Sequence, residues 1–272
     1  MKNKLFDITD KVIVVSGATG VLAGGVARYL ADNGARVVFL GRNAQKLEEA
    51  GRFLEANGYD GLVCSCDVLD RTAVEVVRES VLKRWGRVDV LVNGAGGNMA
   101  GAVIQPDQSF FDLDVEAWNS VFSLNLRGTL IPTLVFGKCF ESEKKGCIVN
   151  FSSMSAQQVI TRVLGYSNAK AAVDNLTKWL AVEFAKKIGE GVRVNAVAPG
   201  FFISEQNRTL LTNPDGSLTS RGHDIIKNTP FGRFGESEEV CGAVHYLCSD
   251  ASKFVTGTVL AIDGGFSCFS GV

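Results

Sequence analysis

Short apolar, β-branched runs alternate with stretches of helical period along almost the whole chain, and this alternation limits the fold more than any other feature. Residues 12–16, 36–40, 62–66, 88–93, 147–152, 192–197 and 258–263 read as short buried strands. Between them, 23–33, 45–57, 71–85, 114–141, 167–188 and 237–249 carry apolar residues at helical spacing. Strands that are apolar on both faces and separated by helices imply βαβ units and a parallel sheet covered on both sides. Right-handed crossovers turn such units into an open, doubly wound sheet. The expected fold is therefore α/β: one Rossmann-type domain over residues 1–272, with no linker and no internal repeat. One segment, 201–235, breaks the alternation. It is long, loop-like and polar, has glycines at 216, 222, 232 and 235, and follows a strand end, where ligands bind in open α/β sheets. We expect it to act as a substrate lid.

Composition excludes several functional classes. With 46% hydrophobic residues the chain can bury a large core, and a formal net charge of -1 removes the basic footprint of a nucleic-acid binder. The longest apolar runs, such as Val12 to Val15, are strand-sized and far short of a bilayer span. The first seven residues contain no apolar stretch of signal-peptide length. The expectation is a soluble cytoplasmic protein with no membrane partner. Seven cysteines make an odd count, and in a reducing compartment they read as small buried hydrophobes. Cys64 and Cys66 have the wrong spacing for a zinc-ligand pair, and the two histidines, His223 and His245, lie beside no nucleophile. No metal site and no serine-type hydrolysis is expected.

The first strand runs directly into Ser16-Gly17-Ala18-Thr19-Gly20-Val21-Leu22-Ala23-Gly24-Gly25. Glycines there permit a tight turn and a close backbone approach, and the following helix offers its N-terminal amides to a pyrophosphate. The alternative is a Gly-rich turn with no ligand. The second strand ends Leu40-Gly41-Arg42. An acidic residue near this point takes the ribose 2′-hydroxyl of NAD, whereas an Arg accommodates a 2′-phosphate. Gly41 stands at the acidic position and Arg42 follows, which argues for NADP(H) over NAD(H); a solvated surface charge is the other reading of Arg42.

Tyr166 and Lys170 are four residues apart at the start of a predicted helix, so a phenol and an ammonium share one face. A nearby cation favours the phenolate and draws a pKa of ~10 toward the working range of general acid–base catalysis. Ser153 lies 13 residues upstream at a strand end. Asn93-Gly94-Ala95-Gly96 ends another strand, Asn125 lies in a helix, and Pro199-Gly200 follows the strand at 192–197.

In order, spacing and context these elements resemble the short-chain dehydrogenase/reductase family over essentially the whole chain. The resemblance implies that Tyr166 is the proton donor and acceptor, and that Lys170 lowers its pKa and holds the nicotinamide ribose. It further implies that Ser153 steadies the substrate oxygen and that Asn125 holds a water in a proton relay. Cofactor contacts are implied at Gly17, Thr19, Gly20, Val21, Leu22, Arg42, Asp67, Val68, Asn93, Gly94, Ala95, Pro199, Gly200, Phe202 and Ser204, besides Tyr166 and Lys170. The family's glycine pattern reads here with Ser16 for Thr, Val21 at its second glycine and Ala23 at its third, with Gly20 one residue early; Ser204 stands where the family commonly has Thr after Pro199-Gly200 and keeps the hydroxyl, and Gly94 replaces Ala in the Asn-Ala-Gly strand end.

The segments 96–98, 200–208, 229–235 and the ending from Asp263 to Val272 resemble the D-mannonate oxidoreductase (fructuronate reductase) branch of that family. This implies a sugar-acid substrate, reduction of D-fructuronate to D-mannonate, and a homotetramer. A carboxylate suits an Arg fork, and Arg162 and Arg208 are the candidates, each with a structural ion pair as its alternative. Asn98, Gln206 and Asn207 are candidates for sugar hydroxyls, although Gln206 and Asn207 can instead cap the lid. The competing readings are a gluconate 5-dehydrogenase or a 3-oxoacyl-carrier reductase and, from another class, a non-catalytic cofactor-sensing module.

Overall fold

The computed structural model describes residues 4–203 and 207–271. Seven strands form one fully parallel sheet: β1 (Val12–Ser16), β2 (Arg36–Gly41), β3 (Leu62–Ser65), β4 (Val90–Asn93), β5 (Gly146–Phe151), β6 (Val192–Pro199) and β7 (Val259–Ile262). Their spatial order is β3-β2-β1-β4-β5-β6-β7. The helices between them are α1 (Val21–Asp32), α2 (Ala44–Asn57), α3 (Arg71–Trp85), α4 (Val115–Glu143), α5 (Leu164–Lys187), α6 (Arg208–Leu211), α7 (Ser220–Lys227) and α8 (Glu238–Cys248). Every strand and helix expected from the alternation is present, with ends shifted by at most three residues. Several starts are set by side-chain caps: Asn43, Asp70 and Asp114 each accept backbone N–H groups of the first turn.

The strands alternate between two cores, as a sheet buried on both faces requires. Ile13, Val15, Val37, Phe39, Val90, Val92, Cys147 and Val149 face α1, α2 and α8. Val12, Val14, Val38, Leu40, Leu91 and Ile148 face α3, α4 and α5. The buried cysteines 66, 139, 147, 241 and 248 fill these layers as free thiols, and burial raises their pKa values.

The segment 201–235 differs from the loop expected of it. It contains α6 and the eight-residue α7, joined by a turn whose ends bridge Thr212 and Leu218. Thr219 caps α7 by accepting from Gly222 N–H, and Leu211 and Ile225 are buried beneath it. A polar average over the segment hid this local apolar face. The far end is clasped by two bonds from Arg233 to Glu239, at 2.8 and 2.7 Å, which hold the Glu239 carboxyl down at about 2.

Chain order reverses between β1 and β4, and the carboxyl ends of these two strands come unusually close there. Gly17 has φ +71°, and a Cβ on it would lie 2.6 Å from the backbone of Gly94 and Ala95. The Ser16 hydroxyl accepts from Ala95 N–H at 3.3 Å, so Ser serves where the family has Thr. A Cβ on Gly94 would lie 2.5 Å from the Ala23 methyl. Two of the departures from the family pattern therefore compensate: the methyl absent at position 94 is present at position 23. Gly94→Ala is expected to cost about 1–3 kcal/mol, the usual range for overpacking. Adding Ala23→Gly should recover part of that loss in a denaturant titration; additive losses would show that the two sites do not share one space.

Candidate active site

The α1 N-terminus is open and carries no opposing charge. Gly20 is its N-cap and supplies no side-chain cap, and the first turn carries no acidic residue. The leading amides and the helix dipole therefore remain available to a phosphate. Thr19 packs on the end of β2: a Cβ on Gly41 would lie 2.6 Å from the Thr19 methyl. An acidic side chain at 41 would collide with Thr19 unless the latter moved. Arg42 is exposed and forms a 3.4 Å pair with Asp67, whose other oxygen accepts from Leu69 N–H. Val68, the next residue, is buried in the core.

Ser153, Tyr166 and Lys170 converge beyond the carboxyl end of β5. Lys170 is 3% exposed; its ammonium donates to the Phe151 carbonyl at 2.7 Å and lies 5.5 Å from the Tyr166 ring centre. Burial lowers its pKa to about 8, against the opposing pull of Asp174. Tyr166 departs from the sequence expectation. Burial raises its pKa, and the group that pulls it down is Ser153, through a hydrogen bond, rather than Lys170. The physical reason is position: the ammonium sits over the ring and is engaged with a main-chain carbonyl. Ser153 also accepts from Ser155 N–H and Oγ at 3.2 and 3.1 Å.

Asn125 is fully engaged. Its amide donates to the Gly97 and Val121 carbonyls, both at 2.8 Å, and its oxygen accepts from Gly97 N–H at 3.1 Å. It thus pins the irregular strand-end segment that follows β4 to α4. A Cβ on Gly96 would lie 2.5 Å from the Asn125 oxygen and 3.2 Å from the Lys170 ammonium, so glycine is required between them. Beside this segment the Asn98 oxygen is buried with no hydrogen-bond partner.

Three expected contacts are spent elsewhere. The Asn93 amide donates inward to Thr133 and Asn150, tying β4 to α4 and β5. Phe202 is 6% exposed, packs in the core against Gly235 and bridges to it along the backbone. Asn207 donates to the Phe202 carbonyl at 2.8 Å, holding the base of the segment. At the end of β6, Pro199 and Gly200 press on Asp263: a Cβ on Gly200 would lie 2.7 Å from the Asp263 Cβ. Ser204 and Gln206 lie outside the described residues. Arg208 is exposed at the start of α6, and Arg162 has left-handed backbone, φ +76°, just before α5.

Sequence reasoning missed Asp174 and Ser152. Asp174 is 7% exposed and accepts a short hydrogen bond from the Ser152 hydroxyl. Its signal was present, since it follows Lys170 by one helical turn on the same face.

A family model described as enoyl-(acyl carrier protein) reductase matches residues 17–267. The chain is a short-chain dehydrogenase/reductase. This short-chain dehydrogenase is 42% identical to the uncharacterized oxidoreductase UxuB of Bacillus subtilis over 98% of both chains. It is 32% identical to the gluconate 5-dehydrogenase of Gluconobacter oxydans over 97% of each. A crystal structure of a provisional D-mannonate oxidoreductase from Haemophilus influenza with bound NAD superposes with a TM-score of 0.91, at 40% identity over 98% of both chains. A gluconate 5-dehydrogenase from Burkholderia cenocepacia in complex with NADP and tartrate gives 0.84 at 28% identity, over 97% of this chain and 98% of that one. The short-chain dehydrogenase is thus an NAD(P)-dependent oxidoreductase acting on alcohol or ketone groups. Among the described residues there is no metal-binding cluster and no helix long and apolar enough to cross a membrane.

The buried ammonium has a measurable consequence. The unfolded chain holds the Lys170 proton up to a pKa of 10.5, whereas the folded enzyme releases it near 8. Between these values the unfolded state binds more protons, so stability rises with pH, and below about 8 the penalty is complete. Lys170→Met removes that penalty. Its thermal midpoint relative to the wild type should therefore be highest near pH 7 and fall as the pH is raised toward 10. A difference that held constant or grew would show that the ammonium is not the strained group.

Proposed function

We propose that the protein reduces the keto group of a sugar acid, D-fructuronate to D-mannonate, with NADP(H) preferred over NAD(H). The observation that carries the reaction type is the convergence of Ser153, Tyr166 and Lys170 at one strand end. The 40% identity, over nearly all of both chains, to the provisional D-mannonate oxidoreductase supports the substrate. A dinucleotide fits the residues present: the uncapped α1 N-terminus would take its pyrophosphate, and Gly17, at φ +71°, turns the chain into that helix close against Gly94 and Ala95. Gly17, Thr19, Gly20, Val21, Leu22, Gly94, Ala95, Pro199, Gly200 and Ser204 would line it, with Asp67 and Val68 beside its adenine.

When bound, the nicotinamide supplies the hydride. The chain's own residues handle the proton and the oxygen. Ser153 holds the substrate carbonyl oxygen and Tyr166 delivers its phenolic proton to that oxygen as negative charge develops. Lys170 holds the nicotinamide ribose and, as a buried cation, favours proton loss from Tyr166 once it is free to leave the Phe151 carbonyl. Asn125 keeps Gly97 and the segment beside Lys170 in place, in line with a relay behind that lysine. The NADP(H) preference is supported by Gly41, which has no carboxylate for a ribose 2′-hydroxyl, and by Arg42 next to it. The neighbour that carries NAD keeps NAD(H) open as a second cofactor.

The segment 201–235 acts as the lid over the substrate. Leu134, Trp179 and Val182, exposed apolar residues on α4 and α5, support a homotetramer in which these helices are covered. The reading also places the protein in the cytoplasm, with a small-molecule substrate and neither nucleic acid nor membrane as partner. Gluconate 5-dehydrogenase activity is the second reading, favoured by the 32% identity to the enzyme of Gluconobacter oxydans.

Two measurements test this. Tyr166→Phe should lower kcat by about 10²–10⁴-fold while leaving dinucleotide affinity nearly unchanged; a variant keeping half of wild-type turnover would remove Tyr166 from the mechanism. Purified protein assayed on D-fructuronate, 5-ketogluconate and a 3-oxoacyl thioester should give its highest kcat/KM with D-fructuronate and NADPH. A higher value for either other substrate would replace the proposed one, and a clear NADH preference would overturn the role of Arg42.

A further inference from the structure

Two arginines come together at the turn that leads into α5, and one of them, Arg221, has no part in the reading so far. Arg221 is on α7, the main helix of the 201–235 segment. Its guanidinium reaches across 60 positions of sequence to Thr161, donating to the hydroxyl at 3.3 Å and to the main-chain carbonyl at 3.2 Å. The next residue is Arg162, four before Tyr166. Its backbone is left-handed, with φ +76°, a conformation that costs a non-glycine residue energy and persists only where its surroundings hold it. The Arg162 carbonyl accepts from Ile104 N–H at 3.0 Å, which fixes the turn from a second side.

The two guanidinium groups are close enough for Arg162 to depress the pKa of Arg221, in addition to the effect of burial. Among the described residues no carboxylate lies within salt-bridge distance of either, and Asp224, one turn along α7, offsets the repulsion only from a distance. Like charges held together in a partly buried place without a counter-ion are unfavourable. An arginine fork is the group best matched to a planar carboxylate, and an anion between two forks would relieve the repulsion. The exposed Arg208, by contrast, begins the short helix α6, where its main-chain carbonyl accepts from the Thr212 N–H and hydroxyl.

We propose that Arg162 and Arg221 together form a carboxylate-recognition site, in which the lid helix and the turn before the catalytic helix each contribute one arm. It rests on the sugar-acid reading and names the residues that would make it. Because one arm is on α7, the carboxylate also joins lid to body, so an acid substrate would close its own site. A neutral ketose with the same chain of hydroxyls gains nothing from the pair.

The test compares D-fructuronate with D-fructose, its neutral counterpart, in the wild type and in Arg162→Gln, Arg221→Gln, Arg221→Lys and Arg208→Gln. Each glutamine variant of the pair should lower kcat/KM for the acid by about 30-fold, mostly through KM, the low end for truncating one partner of a buried charge pair. The neutral ketose should change by less than about threefold, and Arg208→Gln should match the wild type on both. Arg221→Lys, which keeps the charge but not the fork, should fall between. Dinucleotide affinity, measured by fluorescence, should stay constant in all variants and reports intact folding. Equal losses on both substrates would reduce Arg221 to a structural latch and overturn the proposal. A wild-type preference for the acid that survives both glutamine substitutions would overturn it while leaving the sugar-acid reading intact. No preference in the wild type would overturn both.

Discussion

The arrangement depends on how closely two backbones approach at the reversal of strand order. Where β1 ends and β4 ends, Gly17 leaves no room for a side chain against Gly94 and Ala95, and the Ala23 methyl fills the space beside Gly94. This contact sets the spacing between the α1 N-terminus and the segment after β4. From it follow the position of the uncapped α1 N-terminus and the path of Gly96 and Gly97 beside Asn125 and Lys170. A methyl group misplaced here would shift both halves of the site together.

The second constraint is electrostatic. Lys170 is an ammonium almost without solvent, kept by one main-chain carbonyl and by the more distant carboxylate of Asp174. Burial works against both groups of the Tyr166–Lys170 pair, raising the phenol and lowering the ammonium. The energy spent on holding the lysine charged in such a place is the sort of local instability that functional sites retain and structural sites lose. Ser152 and Asp174 form a supporting layer beneath it, closing a short hydrogen bond between β5's end and α5.

The 201–235 segment links these two regions to the outside. It is fastened at one end by the Phe202 core contact and at the other by the Arg233–Glu239 clasp, while α7 touches the turn before α5 through the Arg221 guanidinium. The Arg221–Thr161 latch is made of charged and hydroxyl groups, and a main-chain bond from Phe231 N–H to the Gly264 carbonyl holds the segment as well.

The sheet and its covering helices were legible in the sequence because strands buried on both faces must be apolar at every position, and Val12–Ser16 and Arg36–Gly41 are nearly so. The Tyr166–Lys170 pair was legible for the same local reason, one turn of one helix. Helix periodicity also held the signal for Asp174, although its value became plain only when Ser152 was found against it. Other features depended on segments distant in the chain. That the Asn93 amide turns inward to Thr133 and Asn150, that Phe202 is core, and that Tyr166 is held up rather than down are consequences of packing between separate elements. No local pattern couples Gly94 to Ala23, or Arg221 to Thr161 and Arg162. The sequence by itself determined which elements form and which face of each is buried, since both are set within a few residues. The tertiary structure decided which polar groups are consumed in holding those elements together and which remain for a ligand, because a hydrogen bond or a repulsion between distant residues exists only once the chain has folded.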